Sequence, residues 1–272
     1  MAVKGTWIRY EDQIGYFAVP GRGDGPFPAV VVIQEIGGVN EHIEDVTRRI
    51  AAAGYAALAP DLFAEGGERP APLTRERISE MFAFSAKLPP GSMFDPAKRQ
   101  EALGALPEGD RARLTETFTA VTSFTAPDKR ETLVPALRAA VRHLRTRQPQ
   151  TQGQRVGCVG FCMGGGLSAL LACEEEELSC AAVYYGMTPP PDKLSRITCP
   201  VMAFYGALDQ RVNAGIPAFE QGMKATGAPY ERHVYDGAAH SFFNDDAPSY
   251  NVTAARDSYT KLLGFFLKNL GG

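Results

Sequence analysis

The chain has 272 residues, 44% of them apolar, with 28 Lys and Arg against 31 Asp and Glu for a net charge of −3. That composition supplies a substantial core and excludes a disordered chain, and it lacks the cationic excess a nucleic-acid partner demands. No apolar run approaches a membrane span, the first residues lack the apolar stretch of a secretory signal, and the five cysteines (158, 162, 173, 180, 199) form no CxxC pair and no zinc spacing, so a cytoplasmic protein with reduced thiols, no membrane partner and neither metal nor organic cofactor is expected.

In chain order, Thr6–Tyr10 and Ile14–Val19 flank a polar turn and predict a hairpin. The β-branched run Pro28–Glu35 reads as a strand buried on both faces. Glu41–Ala53 is an amphipathic helix with Ile43, Val46 and Ile50 on one side and Gly54 as its stop, and Tyr55–Pro60 is the next buried strand. Residues 64–127 are rich in Pro, Gly and charge, with helices predicted near 74–87 and 110–120, and form an inserted lid or a set of surface helices. A long helix over Lys129–Arg147 buries Leu133, Leu137, Val141 and Leu144 and wets Arg138, Arg142, Arg145 and Arg147. Then follow strand Arg155–Phe161, helix 163–173, strands Cys180–Gly186 and Pro200–Gly206, helix 214–226, strand Glu231–Tyr235 and helix 251–269. The alternation predicts one α/β domain over 1–272, a doubly wound and mostly parallel sheet with helices on both faces, whose ligands sit outside the carboxyl ends of the strands.

The sharpest motif is Gly160-Phe161-Cys162-Met163-Gly164, between a strand and a helix. This is a nucleophile elbow with Cys at its apex. The glycines are required because strand and helix approach too closely for a Cβ, and the helix N-terminus beneath the thiol favours a thiolate. The spacing is not G-x-G-x-x-G, so a dinucleotide site is not indicated. A nucleophile of this kind takes an acid and then a histidine later in the chain. Asp209, in Gly206-Ala207-Leu208-Asp209, and His240, in Gly237-Ala238-Ala239-His240, both follow predicted strands. His240 is then the base that takes the thiol proton and returns one to the leaving group, and Asp209 holds its tautomer. His42, His143 and His233 lie on helices or inside a strand and are read as packing or surface residues.

These residues resemble the dienelactone hydrolases (carboxymethylenebutenolidases), an α/β-hydrolase family. The likeness rests on Gln34-Glu35-Ile36-Gly37-Gly38, Ala59-Pro60-Asp61-Leu62-Phe63, the Cys162 elbow, Val183-Tyr184-Tyr185-Gly186, Gly206-Ala207-Leu208-Asp209 and Ala239-His240-Ser241-Phe242. It implies a Cys162–Asp209–His240 triad, an oxyanion hole from the backbone N–H groups of Ile36 and Met163, and a gating Glu35 that holds the resting thiol until substrate displaces it. Independently, a carboxylate ending an apolar strand, as Glu35 does, must find a partner or shift its pKa upward. The family places an arginine four residues after the histidine to hold a substrate carboxylate; here Asn244 stands there. Arg75, Arg77 and Arg99 of the insert are candidates for that task, Phe242 and Asn244 flank the site, and Met81, Phe82, Phe84, Met93 and Phe94 either line an ester pocket or pack helices.

The sequence therefore predicts an ester or lactone hydrolase acting through a thioester on a small-molecule substrate, as a monomer or homodimer. Three rivals remain: a broad carboxylesterase, a peptidase using the same triad, and a non-catalytic ligand-binding or thiol redox-sensing protein. A complete triad disfavours the last, and peroxide-dependent change at Cys162 without any hydrolysis would favour it.

Overall fold

The strands assemble into one eight-stranded sheet in the order β1-β2-β4-β3-β5-β6-β7-β8, its central members β3 to β7 buried along their whole length. A computed structural model describes residues 3–89, 92 and 95–271. The strands are β1 Lys4–Tyr10, β2 Gln13–Val19, β3 Ala29–Ile33, β4 Ala56–Pro60, β5 Val156–Phe161, β6 Cys180–Tyr184, β7 Val201–Gly206 and β8 Tyr230–Tyr235. The helices are α1 Glu41–Ala52, α2 Arg75–Ser85, α3 Pro96–Gly104, α4 Glu108–Phe124, α5 Arg130–Thr146, α6 Met163–Glu174, α7 Pro191–Leu194, α8 Gln210–Asn213, α9 Ile216–Thr226 and α10 Val252–Leu270. The β1–β2 hairpin joins the sheet antiparallel to β4, and β3 to β8 pair in parallel. None of the described helices is long and apolar enough to cross a membrane.

Because successive strand side chains point to opposite faces, the sheet has two cores. Val31, Ile33, Cys158 and Ala203 meet α5, α6 and α9 through Leu137, Leu167 and Phe219. Val30, Val32, Val159 and Phe204 meet α1 and α10 through Ile43, Ile50, Leu262 and Phe266. The chain runs from β3 outward to β4 and then returns to β5 on the other side of β3. The carboxyl ends of β3 and β5 therefore flank the crevice where strand order reverses, the place such sheets bind ligands. The arginine stripe of α5 is paired rather than simply wet: Arg138 meets Glu175, Arg142 meets Glu11 and Arg145 meets Glu177.

Among the described residues, 64–127 contain one α-helix more than the sequence predicts. Asp95 caps α3 by accepting from the N–H of Ala97 and Lys98, with Pro96 at its first position. The insert has its own core of Ile78, Met81, Leu103, Leu114, Phe118 and Val121, joined to the sheet through Phe63 just beyond β4. Met81 and Phe84 are used in that packing, Phe84 lying edge-on to Phe118; Met93 and Phe94 lie outside the described residues.

Candidate active site

The turn after β5 is shaped by steric necessity. Cys162 sits at φ +56° and ψ −114°, a conformation costing a non-glycine residue about 1–3 kcal/mol. The crossing beneath it leaves no room for side chains: a Cβ on Gly160 would lie 1.8 Å from the carbonyl oxygen of Gly164, and one on Gly164 would lie 2.2 Å from that of Ile33. The Cys162 N–H donates to Tyr184 O at 3.0 Å, tying the elbow to the end of β6. The half-buried thiol thus stands directly before α6, whose first-turn N–H groups, Met163 among them, have no intrahelical acceptor. The other four cysteines are buried. Burial pushes the Cys158 and Cys173 thiols up to about 12 and Cys199 up to about 11, so none of these three ionises near neutrality.

Asp209 and His240 converge on that thiol from β7 and β8. Asp209 follows β7 and caps α8, with one oxygen accepting from Val212 N at 3.4 Å and the other 2.5 Å from His240 Nδ1. This double use fixes the carboxylate and thereby the imidazole. Burial alone would lower the pKa of His240, but the Asp209 hydrogen bond and the adjacent Cys162 sulfur outweigh it and raise the pKa to about 10. The site therefore favours the imidazolium form of His240. The other histidines have structural partners: His42 faces Asp245, His143 stacks on Tyr10 and His233 on Phe204.

The loop after β3 completes the mouth. Glu35 is 8% exposed, and its partners are Asn244 Nδ2 at 2.8 Å and Ser241 Oγ at 3.4 Å. A Glu35 that grips the thiol is thus not the arrangement present: its oxygens are held by the His240 loop. Asn244 thus donates to Glu35. Ile36 follows in a turn closed by Gly38 N donating to Glu35 O at 3.1 Å.

The other residues named as substrate contacts have partners within the fold. Arg75 donates through Nε and Nη2 to Val39 O at 3.1 and 2.9 Å, pairs with Glu44 and lies over the Trp7 ring, so it clamps the β3 loop rather than facing the thiol. Arg77 bonds Thr117, Arg113 O and Glu116, joining α2 to α4. Phe242 is fully buried against Tyr185 and Tyr235, because Ser241 at φ +61° turns the chain inward after His240. Arg99 lies over the Phe118 ring. Of the insert's aromatics, Phe82 reaches the site loop, its ring edge against Gly37.

The sequence reading missed three supporting residues. Tyr185, at φ +38°, places its ring 5.1 Å from that of His240. Burial, followed by the charges of Glu35 and Cys162, holds its phenol well above the usual range and therefore neutral. Ser241 braces Glu35. Arg69 forms a buried pair with Asp61 at 2.6 Å and also donates to Val39 O at 3.2 Å. The signal for Arg69 was present: a carboxylate ending a fully buried strand demands a cation.

The family model of the dienelactone hydrolase family matches residues 14–270. A protein of Saccharolobus solfataricus named "Putative carboxymethylenebutenolidase" is 31% identical over 244 residues, covering 89% of this chain and 90% of that one. A Synechocystis protein of the same name is 30% identical over 284 residues, covering 98% of each. The crystal structure of a "Putative Dienelactone Hydrolase" from Klebsiella pneumoniae superposes with a TM-score of 0.64 at 26% identity, covering 98% of this chain and 99% of that one. On this match across nearly its whole length, the chain belongs to the dienelactone hydrolase family and is a hydrolase of the ester and lactone type.

Proposed function

We propose that the protein cleaves carboxylic esters and lactones of small molecules with Cys162 as nucleophile, His240 as base and then acid, and Asp209 as the group that orients and charges His240. The observation carrying this reading is the convergence of the three: a strained Cys162 at the sheet's switch point beside an imidazole raised to about 10 and held at 2.5 Å by Asp209. The thiolate adds to the carbonyl carbon, and the resulting oxyanion is received by the N–H groups of Met163 and Ile36. The carbon–oxygen bond then breaks as His240 protonates the departing alkoxide, leaving an acyl thioester on Cys162. In a lactone that alcohol stays tethered to the acyl group. A water that gives its proton to His240 attacks the thioester, the carbon–sulfur bond breaks, and the acid leaves.

Glu35 braces the loop carrying His240 through Ser241 and Asn244, so moving it toward the thiol requires breaking those bonds first. Hydrolysis of a short p-nitrophenyl ester and of an α,β-unsaturated lactone, by wild type and Cys162→Ala, tests the assignment. Loss on the order of 10³-fold or more in the variant is expected; equal rates in both proteins would refute Cys162 as the nucleophile.

A further inference from the structure

One buried titratable side chain has no part in the reaction as drawn. His42, the second residue of α1, is 2% exposed. Among the described residues its ring makes one hydrogen bond: Nδ1 donates to Asp245 Oδ1 at 3.3 Å, while Nε2 is out of reach of solvent and has no partner. An ionised carboxylate only accepts, so Nδ1 carries the proton. The other neighbours of the ring are aromatic. It stands edge-on to Phe161, with centroids 6.2 Å apart, and to Phe243 at 6.4 Å, and those two rings stack on each other at 5.3 Å. Phe161 is the residue before Cys162, and Phe243 lies three beyond His240. His42 therefore stands where the strand leading to the thiol and the loop carrying the imidazole meet. A phenyl ring would fill that space without burying a polar edge, so an imidazole there costs stability unless its N–H is used.

The N–H is used on Asp245, whose other oxygen accepts from Arg49 at 2.6 Å, and Arg49 also pairs with Asp45. Burial works against the Asp245 carboxylate, but Arg49, and after it His42, hold its pKa below the usual carboxylate value. The Arg49–Asp245 pair is more than a third exposed on both sides and is a weak tie, whereas the His42 side chain is wholly buried. The loop transmits that fixed point. Asn244, next to Asp245, donates its side chain to Glu35 and its N–H to Ser241 O at 3.0 Å. Asp246 N donates to Asn244 Oδ1 at 3.0 Å, and Asn251 N to Phe242 O at 3.0 Å. We propose that His42 is a positioning residue for the reaction: its bond to Asp245 sets the loop 241–246, and through it the place of His240 beside Cys162 and the hold of Asn244 on Glu35. This rests on the reading of His240 as the base.

Two substitutions separate the hydrogen bond from the packing. His42→Phe keeps a ring and loses the donor; His42→Asn loses the ring and sets an amide nitrogen near the place of Nδ1. With a short p-nitrophenyl ester, kcat is expected to fall about tenfold in His42→Phe with KM within about twofold, and to stand within about threefold of wild type in His42→Asn. A ring that merely packs gives the reverse order, with His42→Asn the poorer enzyme; that order, or equal kcat in all three proteins, would overturn the proposal. Should His42→Phe not fold, the bond is cut from the loop instead. Asp245→Ala is then expected to lose kcat to the same degree and Asp245→Asn, which keeps an accepting oxygen, to retain most of it, and equal losses in that pair would overturn the proposal likewise. A second readout needs no turnover. The His240 imidazole, followed by NMR in the substrate-free protein, is expected to titrate at about 10 in wild type and in His42→Asn, and lower, toward 6.5, in His42→Phe. Wild type inactive on every ester would refute His240 as a base for hydrolysis and leave that titration to decide the tie, which an unchanged value in His42→Phe would overturn.

Discussion

The carboxyl edge of the sheet and the helical insert serve one site by different physics. At the edge, position is dictated by backbone sterics: the elbow exists because Gly160 and Gly164 let strand and helix touch, and Cys162 is held where a non-glycine residue is strained. The insert contributes position through charge. Arg69 and Arg75 reach from it to the same acceptor, Val39 O, and so hold the loop that carries Ile36. Sterics aim Cys162, and arginine hydrogen bonds aim the loop across from it. Damage to the first should therefore abolish chemistry outright, while damage to the second should cost stability and precision.

The largest effect that sharpens this contrast is at the acid that sets the imidazole. Asp209→Asn is expected to lower kcat about 10³- to 10⁴-fold, because the amide neither holds the tautomer nor stabilises imidazolium. Its pH behaviour is equally specific. A histidine raised from an ordinary value near 6.5 to about 10 contributes stability that is fully present below 6.5 and is lost as pH rises through about 10. Wild-type hydrolysis is thus expected to hold across neutral pH and fall toward pH 10, and Asp209→Asn to move that fall to lower pH. An identical pH profile in the two proteins would break the electrostatic account of His240.

A smaller effect separates the insert's clamps from its internal ties. Arg69→Met leaves Asp61 buried without a counter-charge, with side chains 9% and 2% exposed in the native pair, and is expected to cost about 3–5 kcal/mol by urea unfolding. It should also lower kcat, because Val39 loses a donor. Arg77→Met breaks bonds to Thr117 and Glu116 within the insert, so it is expected to cost about 1–3 kcal/mol with kcat/KM within about twofold of wild type. A loss of kcat in Arg77→Met as large as in Arg69→Met would mean that the two regions are not divided as described.

The sheet was legible because its determinants are local. The β-branched run of β3, the glycines around Cys162, and the stop of α1 at Gly54 each state their own conformation. Cys162, Asp209 and His240 could be picked out together because each follows a strand, in a fixed chain order. The insert was harder to read. Its helices α2 and α4 have weak amphipathic patterning because they pack on one another and on Phe63, and α3 was announced only by Asp95-Pro96. The arginines were misread for a related reason: an arginine's target lies far along the chain, so Arg75, Arg77 and Arg69 look alike in sequence and differ only in what the fold sets opposite them. Phe242 shows the converse case, where a residue two positions beyond His240 is buried because Ser241 turns the backbone.

The central claim is that Cys162 carries the acyl group, and the most direct measurement is intact and peptide mass spectrometry of the protein quenched in acid during turnover of a slow ester. The account predicts an added mass equal to the acyl group, located on the Cys162 peptide, released by hydroxylamine and absent from Cys162→Ala. Rapid turnover with no thioester on Cys162 under any quench, or an acyl group on another residue, would contradict it.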